Sequence, residues 1–144
     1  MEVLKGNKEY FPGIEQINYE GRDSKNPLAF KWYDEDKLIA GKSMKEHLRF
    51  AVAYWHTFCG TGDDPFGPGT QMFPWDGASD PMDAAKERMD AAFEFITKMN
   101  IPFYCFHDVD MAGDGTVFEI EKRLEKLVEI ARRKQEASGV QLLW

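Results

Sequence analysis

Two cysteines in 144 residues, Cys59 and Cys105, are too few for a disulfide framework and read as structural thiols suited to a reducing compartment. No apolar run approaches the roughly 20 residues that a membrane span requires, and the opening stretch MEVLKGNKEYFPG lacks the apolar centre of a secretion signal. These absences predict a soluble, cytoplasmic protein with no membrane partner. Positive charge is short as well: 18 Lys and Arg stand against 25 Asp and Glu, for a net charge of -7. The cations are scattered or gathered on one helix face, whereas phosphate backbones need them clustered, so nucleic acid is not an expected partner. Small molecules or other proteins are. What the chain does have is apolar material, 43% hydrophobic and 14% aromatic, enough for one domain with a real core.

Residues 1–47 carry turn residues and mixed charge with no sustained period, and read as an irregular N-terminal extension to a region spanning 48–144. Near its end, Ser43-Met44-Lys45-Glu46 fits a Ser-x-x-Glu capping box for a short helix. Arg49 to Phe58, rich in aromatic and aliphatic residues, is predicted as a strand, with continued helix as the competing reading. Gly60 to Gly77 follows with five Gly and three Pro, which excludes helix or strand. A loop of that length inside a compact domain is usually functional, and Phe66, Phe73 and Trp75 within it call for burial against something.

Asp80 and Pro81 then open a helix with Ala85, Met89, Ala92, Phe93, Ile96 and Met99 on one face, ending at Asn100. IPFYCF reads as a buried strand of the parallel type. After the turn Gly113-Asp114-Gly115, Thr116 to Glu119 is a second capping box, opening a long helix. Its expected apolar face is Val117, Ile120, Leu124, Leu127, Val128 and Ala131, with Arg132, Arg133 and Lys134 near the C-terminal end and Gly139 closing it. VQLLW begins another strand. Strand, loop, helix, strand, helix, strand predicts parallel strands with right-handed helical crossovers, in class α/β. A buried strand so close to the last residue leaves an edge uncovered, and an eight-stranded barrel needs roughly 250 residues. The expectation is a piece of a larger protein with about three of eight strands.

In parallel sheets functional groups gather where strands end, which singles out His107, Asp108 and Asp110 after FYCF. A carboxylate near an imidazole fixes its tautomer and stabilises its charged form, so His107 with Asp110 has the makings of a proton donor and acceptor. The alternative is a histidine bonded to backbone beside aspartates that merely end the strand, and local pattern leaves both open. One histidine and two aspartates without a second cluster are too few for a metal site. Trp55, in Tyr54-Trp55-His56, reads as core packing ahead of a pocket wall. His47 and His56 read as structural, while Trp144 ends the third strand and faces the same mouth.

The runs NPLAFKWY, HLRFAVAYWHTF, DPFGPGT, AFEFITKMNIPFYCFHDVD and KQEASGVQLLW, in this order and spacing, resemble the N-terminal part of xylose isomerase, in the class with the longer N-terminal extension. The resemblance runs along almost the whole chain. It implies an (α/β)8 TIM barrel, usually a homotetramer, that interconverts xylose and xylulose, and often glucose and fructose. The family uses two divalent metal ions, Mg2+, Mn2+ or Co2+, in a metal-assisted hydride shift after the sugar ring opens. Carried over by position, the resemblance makes His107 the ring-opening histidine and Asp110 the aspartate that orients and polarises it. It makes Trp55 a wall of the sugar pocket and Trp144 a residue that limits space for a six-carbon sugar. Phe66 becomes the aromatic that enters a neighbouring subunit's site. The family's metal ligands match nothing here and are expected beyond residue 144, so these residues alone are expected to bind no metal and to be inactive. Two rivals stand beside this reading: a different metal-dependent barrel, such as an endonuclease or epimerase, and a non-catalytic partial-barrel assembly module.

Overall fold

Three short parallel strands, linked by two long helices, place every strand end of interest on one edge. The computed structural model describes residues 1–144. In chain order the elements are β1 (Leu38–Ile39), β2 (Lys42–Ser43), α1 (Met44–His47), β3 (Ala51–Ala53) and α2 (Tyr54–Thr57). They continue with α3 (Pro81–Lys98), β4 (Phe103–Cys105), α4 (Asp108–Ala112), α5 (Val117–Ser138) and β5 (Gln141–Leu142). Strands β1 and β2 form an antiparallel hairpin, while β3, β4 and β5 form a separate parallel sheet in that order. Its register sets Ala53 beside Cys105 and Tyr104 beside Leu142. The sheet is open and three-stranded, not a closed barrel, with β3 and β5 as its edges. No helix is long and apolar enough to cross a membrane.

The long helices follow from local chemistry. The Asp80 carboxylate accepts the Met82 and Asp83 N–H groups at 2.9 and 3.0 Å, supplying the first turn of α3 with acceptors it cannot find within the helix. Ala85, Met89, Ala92, Phe93 and Ile96 are buried, as their spacing predicts. Asn100, in a left-handed conformation with φ 54°, ends the run. In α5, Thr116 N–H donates to Glu119 Oε2 at 2.8 Å, and Gly139 adopts φ 80°, where a side chain would be strained. The apolar face of α5 is narrower than expected. Ile120, Leu127 and Ala131 are buried and Leu124 packs against them, but Val117 and Val128 are exposed. Val117 stands at the first helical position, and Val128 is turned about 100° from Leu127.

Two further expectations are corrected. The strand expected over Arg49 to Phe58 is β3 alone, and the chain turns helical at Tyr54. Tyr54 and Phe58, four residues apart, are both wholly buried with ring centroids 5.1 Å apart, a pairing that a helical turn permits and a strand does not. Likewise Asp108 and Asp110, expected where a strand ends, lie in a short helix, α4, that precedes the turn at Gly113. In the long loop Trp75 is buried, its Nε1–H donating to the Phe58 carbonyl at 3.0 Å, with Phe73 stacked on it at 4.7 Å. Phe66 is 97% exposed, so within this chain it is not buried against anything.

Residues 1–37 form no helix or strand, whereas β1, β2 and α1 give regular structure to the end of the stretch expected to be irregular, and the first part of it is bound tightly to α3. Glu94, wholly buried, accepts the N–H groups of Tyr10 and Phe11 at 2.7 and 2.9 Å and pairs with Lys98 at 2.9 Å. Lys98 also reaches Glu9 at 2.9 Å and the Phe11 carbonyl at 2.6 Å. A buried carboxylate is tolerable only with such partners. Tyr10 and Phe11 then lie against Trp75, which ties the arm to the long loop.

Candidate active site

Parallel register brings three strand exits together, and two residues past the ends of β3, β4 and β5 stand Trp55, His107 and Trp144. The Trp55 and His107 rings are 4.5 Å apart with planes inclined at 38°. Trp144 lies 5.7 Å from Trp55 and 6.2 Å from His107. The structure therefore gathers residues 55, 107 and 144, which the sequence separates widely, into one aromatic group at the C-terminal edge. Phe66 does not join it.

His107 is the N-cap of α4, with extended backbone at φ -94° and ψ 160°. Three residues on, Asp110 turns back: its Oδ2 accepts the His107 backbone N–H at 2.7 Å and meets His107 Nδ1 at 2.9 Å. An ionised carboxylate only accepts, so a neutral imidazole so placed carries its proton on Nδ1 and leaves the Nε2 lone pair free. Asp110 is buried, while the His107 side chain is 54% exposed. The pair is thus anchored on its inner side and open on its outer side. Asp108, by contrast, spends its carboxylate on the neighbouring Val109 N–H at 2.9 Å and takes no part in the pair. His47 is occupied elsewhere, its ring nitrogen 2.8 Å from the Ile39 carbonyl.

Behind the pair stand Arg88, which sequence reasoning passed over, and Cys59, which it read as a structural thiol. Arg88 Nη1 donates to the Asp110 carbonyl at 2.9 Å, and the Cys59 thiol donates to the same oxygen at 3.5 Å. Burial pushes the Cys59 thiol up to about 11 against the opposing pull of Arg88, which keeps it protonated and a donor. A signal for Arg88 existed: it falls three residues after Ala85 and four before Ala92, a charged side chain on the buried stripe of α3.

No three histidine, cysteine, aspartate or glutamate side chains converge anywhere in the chain. These residues by themselves do not fit a metal centre.

Comparison with known proteins gives this geometry a context. The chain is 59% identical over 143 residues, 99% of its length, to xylose isomerase 1 of Xanthomonas campestris pv. campestris. Its relatives are xylose isomerases. Xylose isomerase 2 of the same organism is 58% identical, and the xylose isomerase of Xanthomonas oryzae pv. oryzae 55% identical, each again over 99% of this chain. The chain spans about a third of the length of these xylose isomerases, 32% in each case. No family model matches it.

Proposed function

We propose that this chain is the ring-opening portion of an aldose–ketose isomerase that interconverts D-xylose and D-xylulose, and D-glucose and D-fructose. The observation that carries this reading is the His107–Asp110 pair, open outward beneath Trp55, in a chain 59% identical to a xylose isomerase. Opening a cyclic aldose requires the anomeric hydroxyl to lose a proton and the ring oxygen to gain one. His107 Nε2 is the group that moves that proton. Asp110 holds the Nδ1–H tautomer that frees Nε2, and its negative charge stabilises the imidazolium formed in transit. Trp55 walls the sugar and limits water at the ring, while Trp144 bounds the space open to a sixth carbon.

The remaining assignments belong to the whole protein. The open edges β3 and β5 are where further strands would complete an (α/β)8 barrel, of which this sheet supplies three strands. Phe66, nearly fully exposed, is assigned to a neighbouring subunit's site in a homotetramer. The two divalent ions of such an isomerase find no ligand set here and are assigned to residues outside these 144. Two free thiols suit a cytoplasmic location.

The test is segment exchange: this chain replaces the matching third of Xanthomonas campestris xylose isomerase 1, and conversion of xylose to xylulose is measured with Mg2+, Mn2+ or Co2+. The expected result is turnover by the exchanged enzyme and none by the 144-residue chain alone. A folded, assembled exchange enzyme without turnover would overturn the reading.

A further inference from the structure

We propose that Arg88 is a positioning residue for the His107–Asp110 pair, acting through the backbone of α4; the proposal rests on the reading of that pair as the ring-opening group. A helix of five residues is too short to hold itself together, and its last carbonyls have no partner within it. The Gly113 N–H closes α4 on Val109, which leaves the Asp110 carbonyl pointing out of the helix. Arg88 Nη1 takes that carbonyl from α3 at 2.9 Å, and Cys59 Sγ adds a weaker bond from the segment after α2. The carbonyl that Arg88 holds and the carboxylate that holds His107 belong to the same residue. Fixing one end of Asp110 therefore aims the other.

The guanidinium sits where charge is costly. The Arg88 side chain is 17% exposed, its only carboxylate neighbour within ion-pair distance is Asp76 at 3.8 Å, and its Nε–H is buried with no acceptor. An unpartnered buried donor costs stability, so a purely structural site would be better filled by an apolar side chain. What an apolar residue at position 88 could not supply is a donor for the Asp110 carbonyl.

The test reads the imidazole directly and needs no sugar turnover. The protein has three histidines, so 15N resonances of His107 are assigned with His47→Gln and His56→Gln. With the imidazole neutral, the native protein is expected to show Nδ1 as the protonated nitrogen and Nε2 as the bare one. Asp110→Ala releases the ring and defines the spectrum of the unheld imidazole. Arg88→Ala is expected to move both nitrogens from the native towards that released spectrum, and Arg88→Lys to move them less. Asp76→Ala, which removes the loop's ion pair with Arg88 and an acceptor for the Phe73 N–H but leaves the bond from Arg88 to the Asp110 carbonyl, is expected to leave them unmoved. Should Arg88→Ala fail to fold, Arg88→Lys decides by the same shift. A folded Arg88 variant with native His107 resonances overturns the proposal, as does an Asp110→Ala spectrum identical to the native one. Failure of segment exchange to give turnover would strike the enzymatic reading instead, and leaves this spectrum independently readable.

Discussion

Asp110 Oδ2 lies 2.7 Å from the backbone nitrogen of His107 and 2.9 Å from its Nδ1, so one oxygen caps α4 and orients the ring above it. The fold and the candidate chemistry share this atom. Asp110→Ala removes the cap and is predicted to lower stability by about 1 kcal/mol, the usual cost of losing a cap. Urea unfolding followed by circular dichroism checks it. An unchanged midpoint would mean that α4 is held from Arg88 alone.

Glu94 is the hinge pin of the N-terminal arm. Removing the Glu94 carboxylate takes the acceptor from the Tyr10 and Phe11 N–H groups and leaves Lys98 with Glu9 as its one remaining carboxylate, and Glu94→Ala is predicted to cost about 3 kcal/mol. Hydrogen exchange at the Tyr10 and Phe11 amides, which donate to this carboxylate, is expected to accelerate more than exchange within α5. Equal protection of those amides in the variant would show that the arm is held by its apolar contacts with Trp75 and Phe95 instead.

Stability is predicted to fall on the alkaline side. Burial raises Cys59 from 9.0 to about 11, and burial with the nearby Glu87, Asp90 and Glu94 carboxylates raises Tyr10 from 10.0 to about 12. In each case the folded chain holds its proton more tightly than the unfolded chain. As pH rises past the unfolded value the unfolded state binds fewer protons, so the contribution is complete below pH 9 for Cys59 and below pH 10 for Tyr10, and is lost as pH climbs through the folded values. Burial of Tyr54 and Tyr104 acts in the same direction. Denaturant midpoints measured across this range should decline, and Cys59→Ala should soften the earlier part of the decline. A flat profile would contradict the burial of these groups.

Gly139 ends α5 at φ 80° and leads directly into Val140 and β5. Gly139→Ala is predicted to cost about 1 kcal/mol through backbone strain and to lower the melting temperature by roughly 4 °C. Differential scanning calorimetry measures it. No change would mean that the turn before β5 relaxes freely.

Much of this architecture is legible in the sequence because its causes are local. The face of α3 and the centre of the α5 face follow from spacing, and their ends from Asp80, Asn100, Thr116 and Gly139, each acting within a turn of its own position. The parallel sheet follows from apolar runs alternating with helices. Of the short helices, α1 is legible from its Ser43–Glu46 capping box, while α2 and α4 are not, because their causes are tertiary or depend on side-chain geometry. Tyr54 and Phe58 are drawn into one core, and α4 depends on the Asp110 carboxylate turning back onto the His107 N–H. The docking of the arm was equally hidden, since Tyr10 and Glu94 meet across 84 residues of chain. Residues 55, 107, 110 and 144 could be singled out by their places after strands, but only the fold sets Trp55 on His107, and only the buried stripe of α3 reveals Arg88.

The role of His107 as proton carrier is read from the rate of xylose conversion by the segment-exchanged enzyme carrying His107→Asn, compared with its parent at saturating metal and sugar. An asparagine keeps much of the shape but cannot carry the proton between the anomeric hydroxyl and the ring oxygen. The expected fall in kcat is about 100-fold or more, the scale of a lost general acid–base group. A variant with kcat within about twofold of its parent, a difference of less than 1 kcal/mol in barrier, would contradict it and return His107 to the role of a helix cap.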